Sequence, residues 1–169
     1  MVNPWCKARF LGRERWAGDE ADQIAKMERY LEPTHASGRA LMQRGLRGPV
    51  FMLNLLRFRA VADYSAFPDI APPAPISGAE SDDRYIEHTL PFLRESGGDL
   101  MFYGEGGPFL IGPEEERWDR AMVVRQNSIE DFIAFAAHRD YLKGIGHRTA
   151  ALEDSRLLPL SDMRVMPGK

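Results

Sequence analysis

With 169 residues, 44% of them hydrophobic, the chain is long enough to bury the core of one ordinary domain. Its net charge of −3 and the scatter of its basic residues argue against a nucleic-acid-binding surface. The single cysteine, Cys6, excludes an intrachain disulfide, and no apolar run is long enough to cross a bilayer. We therefore expect a cytoplasmic protein that binds neither nucleic acid nor membrane.

The N-terminal region, residues 1–45, is predicted to form an arm with two helices that pack on a domain of residues 46–169. The first helix covers residues 19–31, where acidic residues crowd the first turn and apolar residues recur on one face. Thr34 is placed to cap the second helix, which ends before Gly45.

The most informative segment is the first predicted strand, Val50–Phe58, which is apolar on both faces. Side chains alternate along a strand, so Asn54 and Arg57 lie on opposite faces, each among apolar residues. A half-exposed strand would alternate apolar with polar residues. We therefore expect both faces of this strand to be covered.

A proline-rich loop, a helix and a second strand follow. Residues 67–80 contain four prolines and are predicted to form a loop, since proline supplies no N–H to a helix or a ladder. Ser81 is the expected N-cap of a helix that contains Pro91 and ends at a pair of glycines. The second strand is predicted over residues 100–103, interrupted by glycines and resumed at residues 109–111.

The last third of the chain contains two strands and the helices between them. The third strand is predicted over residues 118–125 and is again apolar on both faces. Ser128 is placed to cap a helix, and a further helical stretch begins at Asp140. The last strand is predicted over residues 157–165, where Pro159 favours an edge position.

Without the N-terminal helices, this order is strand-helix-strand-strand-helix-strand, the ferredoxin-like βαββαβ arrangement of an α+β fold. Its four-stranded antiparallel sheet has the first and third strands at the centre, and its helices cover one face only. The other face is apolar as well, which favours a homodimer that packs sheet to sheet. The alternative is a monomer in which the N-terminal helices lie over that face.

Several spaced motifs together resemble a known family. They are Val50–Phe58, Gly97-Gly98, Ile111-Gly112-Pro113, Val124-Arg125 and the segment 147–156. Over roughly residues 33–160 the chain resembles the uncharacterised bacterial family catalogued as domain of unknown function 1330, within the dimeric α/β-barrel superfamily. The resemblance implies the same fold and the same dimer. Relatives in the wider superfamily include cofactor-free monooxygenases, lactone isomerases and haem enzymes, so the fold does not choose a reaction.

Polar side chains on the central strands are the first candidates for a binding site. Asn54 either bonds backbone within the sheet or the dimer seam, or polarises a ligand in a cavity. Arg125 is placed to grip a carboxylate at the mouth of a pocket. The simpler alternative, for this residue and for Arg57, is an ordinary ion pair with Asp119, Glu153 or Asp154.

His147 is the candidate proton carrier, because histidine titrates near neutral pH. A lone helical histidine is, however, more often a hydrogen-bonded structural residue. Tyr85 lies three residues before His88 on one side of a helix, so the two form a candidate acid/base pair, but Tyr85 also fits the buried stripe. Tyr103 either reaches into a cavity as a phenol donor or completes the core.

The sequence has no pattern for a metal or phosphate site. Its four histidines show no i, i+4 pairing, and neither a phosphate-binding loop nor a Gly-x-Ser-x-Gly motif is present. We therefore expect no cofactor.

The leading hypothesis is a homodimer that binds a small anionic or aromatic organic molecule and carries out cofactor-free acid/base chemistry of the isomerase or monooxygenase kind. His147 would carry the proton, Arg125 would clamp an anion, and Asn54, Tyr85 or Tyr103 would contact the ligand. The alternative is a non-catalytic ligand-binding or accessory protein of the same fold.

Overall fold

The computed structural model describes residues 29–162 of the chain. Its helices and strands follow one another in the predicted order, with a short 3₁₀ turn at Pro68–Ile70. They are α1 (His35–Gln43), β1 (Val50–Phe58), α2 (Gly78–Glu95), β2 (Asp99–Pro108), β3 (Arg117–Gln126), α3 (Ile129–Ala136), α4 (Arg139–Leu142), α5 (Ile145–Ala151) and β4 (Leu152–Ser161).

The four strands form one antiparallel sheet in the order β2-β3-β1-β4. This is the ferredoxin-like α+β topology, and it confirms that the first and third strands are central. Strand β4 lies at an edge, so Pro159 removes an N–H where no neighbouring strand needs it.

The N-terminal part of the described chain confirms the prediction of α1. The Thr34 hydroxyl accepts a hydrogen bond from the backbone N–H of Ser37 at 3.0 Å and caps the helix, as predicted. Gly45 follows the helix with a φ of +56°, a conformation that glycine adopts at little cost. The helix predicted over residues 19–31 does not include Tyr30 or Leu31, and residues before 29 lie outside the described part of the chain.

Helix α2 begins four residues earlier than predicted, because Ser77 and not Ser81 is the N-cap. The Ser77 hydroxyl accepts from the N–H of Glu80 at 3.1 Å, and the Glu80 carboxylate accepts from the N–H of Ser77 at 2.8 Å. This capping box stands at the end of the proline-rich loop. Ser81 lies inside the helix and is fully buried. Pro91 lies within the helix, as predicted.

Strand β2 runs through its glycines instead of stopping at them. A side chain at Gly106 would collide with the carbonyl oxygen of Trp118 on β3, so the glycine permits a close approach of the two backbones. The predicted resumption at residues 109–111 is wrong, since that segment belongs to the turn before β3. A register irregularity lies between Leu100 and Phe102.

The C-terminal region also differs from prediction. The helical stretch from Asp140 is two short helices, and β4 begins at Leu152, five residues earlier than the predicted start at residue 157. Leu152 is fully buried, and an apolar residue at helical spacing fits a helix or a strand equally well. Helix α5 ends at Ala151 and β4 starts at the next residue, with no loop between them.

The sheet has a covered face and an open face. On β1, Val50, Met52 and Leu56 are at most 1% exposed and pack under the helices. The residues that alternate with them point the other way, and register places apolar neighbours beside them. The apolar side chains of the open face are Phe51, Leu53, Leu55, Phe102, Val123, Leu158 and Leu160, and Arg125 lies on the same face beside Phe51.

Candidate functional site

A cavity of about 760 Å³ lies between the covered face of the sheet and the helices. Alternate residues of β1 and β3 form its floor, and the buried stripe of α2, together with α3, forms the opposite wall. Most of the lining is apolar, including Met52, Met122, Val124, Leu90, Leu93 and Phe132. The size suits a small organic molecule, with polar groups at few points.

Two tyrosines meet in this cavity. The Tyr85 and Tyr141 hydroxyls are 2.9 Å apart, and each side chain is about 7% exposed. Burial raises the pKa of both phenols, so both keep their protons at neutral pH. One hydroxyl hydrogen makes the bond between them, which leaves the second hydrogen to be donated elsewhere.

Arg148 brings a positive charge to the same cavity. It donates to the carbonyl of Leu31 at 3.0 Å and to the Ser155 hydroxyl at 3.4 Å. Both acceptors are neutral, and within residues 29–162 this guanidinium forms no ion pair. Its charge is close enough to oppose the rise in the pKa of Tyr85 and Tyr141.

Asn54 lines the cavity, whereas Arg57 does not. The Asn54 side-chain amide donates to the carbonyl of Met52 on its own strand at 3.0 Å, and only 5% of the residue is exposed. Arg57 lies within 3.5 Å of both Glu153 and Asp154, which is the ion pairing expected from the sequence.

His147 lies outside the cavity lining, where it bonds to the loop after β1. The Ser81 hydroxyl donates its one hydrogen to the His147 carbonyl at 2.8 Å. Because that hydrogen is used, the Tyr64 hydroxyl, 2.8 Å from Ser81 Oγ, is the donor in the Tyr64–Ser81 hydrogen bond. The His147 Nδ1, 2.7 Å from the Tyr64 oxygen, is therefore the donor in that contact. This closed ring of three bonds leaves Nε2 as the basic nitrogen of neutral His147.

The environment of His147 disfavours its protonation. Burial, then the nearby positive charges of Arg84 and His88, lowers its pKa below the ordinary value of 6.5. His88 itself is turned towards the backbone, with Nε2 lying 3.0 Å from the carbonyl of Asp140. It makes no hydrogen bond with Tyr85 within the described chain.

Tyr103 and Arg125 also lie outside the cavity lining. The Tyr103 hydroxyl donates to Asp83 at 3.2 Å, and Arg125 donates to the side-chain oxygen of Asn127 at 3.0 Å. Of the site residues predicted from the sequence, the cavity therefore gathers Asn54 and Tyr85.

Sequence reasoning missed the roles of Tyr141 and Arg148. In the sequence, Tyr141 is one apolar position of the predicted helical stretch that begins at Asp140, and Arg148 is the residue after His147. Tyr85 and Tyr141 are separated by 56 residues, and no local pattern predicts that their hydroxyls meet.

A buried ion pair was also missed. Asp82 on α2 is fully buried and accepts from Arg120 Nη1 at 2.6 Å, and Asp83 lies 2.9 Å from the same nitrogen. Burial raises the pKa of Asp82, while the hydrogen bond and charge of Arg120 oppose that rise. In the sequence, Asp82 and Asp83 directly follow Ser81, the predicted N-cap, where acidic residues are common in the first turn of a helix.

Within residues 29–162, no cluster of three or more His, Cys, Asp and Glu side chains is arranged to hold a metal ion. No helix in that part of the chain is both long enough and apolar enough to cross a membrane.

Two crystal structures of one protein resemble this chain. It is RPA0582, a protein of unknown function from Rhodopseudomonas palustris. The first is 31% identical with a TM-score of 0.68, over 81% of this chain and 99% of that one. The methylated form is 33% identical with a TM-score of 0.70, over 85% and 100% of the two chains. The chain belongs to the family of this protein.

No family model matches the chain, and no curated protein matches it. A dimeric ferredoxin-like protein of unknown function from Thermobifida fusca is 17% identical, with a TM-score of 0.40, over 68% of this chain and 91% of that one. That likeness is too low to carry an argument about assembly.

Proposed function

We propose that this chain acts as a cytoplasmic homodimer that binds a small organic molecule in the cavity between sheet and helices. The observation that carries the proposal is the cavity itself, about 760 Å³ in volume, with apolar walls and a few polar groups. Membership of the family catalogued as domain of unknown function 1330 is part of the same proposal, supported by the motifs of the sequence.

Binding without catalysis fits the cavity better than acid/base chemistry does. His147, the expected proton carrier, is absent from the lining. The titratable pair that does line the cavity, Tyr85 and Tyr141, has raised pKa values, so it serves as a hydrogen-bond donor and not as a base at neutral pH. We therefore favour the ligand-binding alternative over the enzyme.

Ligand-observed NMR with a library of small aromatic and aliphatic molecules tests the cavity. We expect binders whose dissociation constants weaken by about tenfold or more in Leu90→Trp, which places an indole in the cavity. Glu87→Trp introduces the same indole on the exposed side of α2 and should leave binding unaltered. Binding that survives unchanged in Leu90→Trp, or no binder at all, would contradict the proposal.

The homodimer is supported by the open face of the sheet. Leu158 is 52% exposed and Phe102 is 55% exposed, and other apolar side chains adjoin them on the same face. Isolated monomers rarely expose such a contiguous apolar surface. Leu41 on α1 packs against the core on the covered side, so α1 does not supply the missing cover.

Sedimentation velocity at micromolar concentration measures the assembly directly. We expect a dimer, and Leu158→Glu should weaken it by about 100-fold or more, because two carboxylates would be buried at the seam. Ile111→Glu places the same charge on an exposed turn and should leave the dimer intact. A monomeric wild-type chain would rule out the homodimer and favour cover by residues 1–28.

A further inference from the structure

The polar end of the cavity is specialised to donate hydrogen bonds. It contains the guanidinium of Arg148 and the paired hydroxyls of Tyr85 and Tyr141, which have one hydrogen more than their mutual bond uses. Thr89 Oγ1, beside Tyr85, is buried and has no hydrogen bond of normal geometry. These groups come from α2, α4 and α5 and all line the cavity, with Arg148 close enough for its charge to act on both tyrosines.

The charges around the cavity do not cancel that of Arg148. Arg156 lies 2.8 Å from Asp154, and Arg44 donates to the carbonyl of Pro159. Glu32 borders the cavity, and its negative charge is close enough to contribute to the raised pKa of Tyr141, but its side chain is exposed to solvent. Asp82 is near enough to sense Arg148, yet its carboxylate is bonded to Arg120.

The two hydrogen bonds that Arg148 makes leave donors to spare. A guanidinium has five N–H groups in a planar fork, and carboxylates match two of them at once. The bonds to Leu31 and Ser155 use one N–H on each terminal nitrogen of Arg148, and neither acceptor carries a negative charge. A positive charge at the end of an apolar cavity, without a counterion in the described chain, is stabilised by an anion bound there.

We propose that the cavity ligand is a small apolar carboxylic acid, with its carboxylate bound by Arg148 and the Tyr85–Tyr141 pair. Its aliphatic or aromatic body lies against Leu90, Leu93 and Phe132. This inference rests on the proposed function and narrows it to one class of ligand.

Matched pairs of probes test the inference on the full chain. Phenylacetate is compared with phenylacetamide, and hexanoate with hexanamide, by ligand-observed NMR at neutral pH. We expect each acid to bind at least about tenfold more tightly than its amide. In Arg148→Gln this preference should disappear, while the dissociation constant of the amide stays unchanged, which shows that the cavity is intact.

Two further arginine variants separate the outcomes. Arg94→Gln removes an exposed positive charge from α2 and should keep the preference for the acid. Loss of the preference in Arg125→Gln, with Arg148→Gln unaffected, would overturn the inference. Equal binding of acid and amide in the wild type would overturn it too, but would leave the proposed function standing. If neither probe binds while residues 1–28 are seen to occupy the cavity, both proposals fail.

Discussion

The two faces of the sheet are built from similar residues and differ in what covers them. On the covered face, Met52 and Leu56 are 1% exposed, whereas on the open face Leu158 and Phe102 are 52% and 55% exposed. Both faces are rich in aliphatic and aromatic side chains. Hydrophobic composition therefore does not decide whether a face becomes core or surface; the chain connections that bring helices to one side decide it.

The largest expected difference between the faces concerns two arginines of β3. Arg120→Met leaves the fully buried Asp82 carboxylate without its closest partner, and should lower the free energy of unfolding by about 4 kcal/mol. Arg125→Met makes the same change on the open face, where within residues 29–162 the side chain bonds only Asn127, and should lower the free energy of unfolding by less than about 1 kcal/mol. Urea denaturation monitored by tryptophan fluorescence measures both values.

Equal losses of unfolding free energy in Arg120→Met and Arg125→Met would contradict this prediction. Such a result would mean that the Asp82–Arg120 pair contributes no more than a surface contact. A double variant, Asp82→Asn with Arg120→Met, offers a control, because removing both charges should recover part of the lost stability.

The next effect concerns leucines on neighbouring strands and opposite faces. Leu56→Ala should cost about 3 kcal/mol, because Leu56 is 1% exposed and packs against Met122, Ala151 and Leu152. Leu158→Ala should cost less than about 1 kcal/mol at a protein concentration low enough to give monomer. Thermal unfolding of both variants is then repeated at a higher protein concentration. A loss of stability in Leu158→Ala that grows with concentration would indicate that the open face is buried in a dimer.

The smallest effect is a dependence of stability on pH. The pKa of His147 in the folded chain lies below its unfolded value, so the unfolded chain takes up the proton first. Neutral His147 therefore contributes to the free energy of unfolding. This contribution is fully present above about pH 6.5, the ordinary pKa of histidine, and is lost as the pH falls towards the pKa of His147 in the folded chain. His147→Asn keeps a donor near the Nδ1 position but does not titrate, so its stability should fall less between pH 7.5 and 5.5.

Urea denaturation at several pH values gives the two profiles. His35→Asn controls for the loss of a histidine elsewhere, on the exposed surface of α1. Parallel profiles for wild type and His147→Asn would contradict the prediction. Nitrogen chemical shifts of the His147 ring give an independent check, since the bond count requires the hydrogen on Nδ1.

Much of the fold was predictable because local patterns decide it. Strand β1 has the predicted bounds, Val50–Phe58, because a short apolar run that follows Gly48-Pro49 favours a buried strand over a helix. Thr34 capped its helix as expected, since a hydroxyl at that place can satisfy an exposed N–H. Strand order followed from the order of elements along the chain.

The errors lie where two local patterns compete or where distant residues meet. Ser77 and Ser81 both precede acidic residues, so either could cap the helix. Ser77 is the N-cap because the Glu80 carboxylate accepts a hydrogen bond from its backbone N–H and completes the capping box. Within the site, Asn54 and Tyr85 were predictable as polar or amphipathic residues among apolar ones. That Tyr141 and Arg148 line the same cavity as Tyr85 depends on how α2 packs against α4 and α5, which no spacing in the sequence reveals.

Helix α5 continues into β4 without a loop. Arg148 on α5 and Leu158 on β4 therefore lie on one continuous stretch of chain that joins the cavity to the open face of the sheet. If the proposed acid binds Arg148 and the proposed dimer forms through Leu158, we expect the acid to change the dissociation constant of the dimer, and dimerisation to change the affinity for the acid by the same factor. A dimer dissociation constant that phenylacetate leaves unchanged would show that the two sites are not coupled.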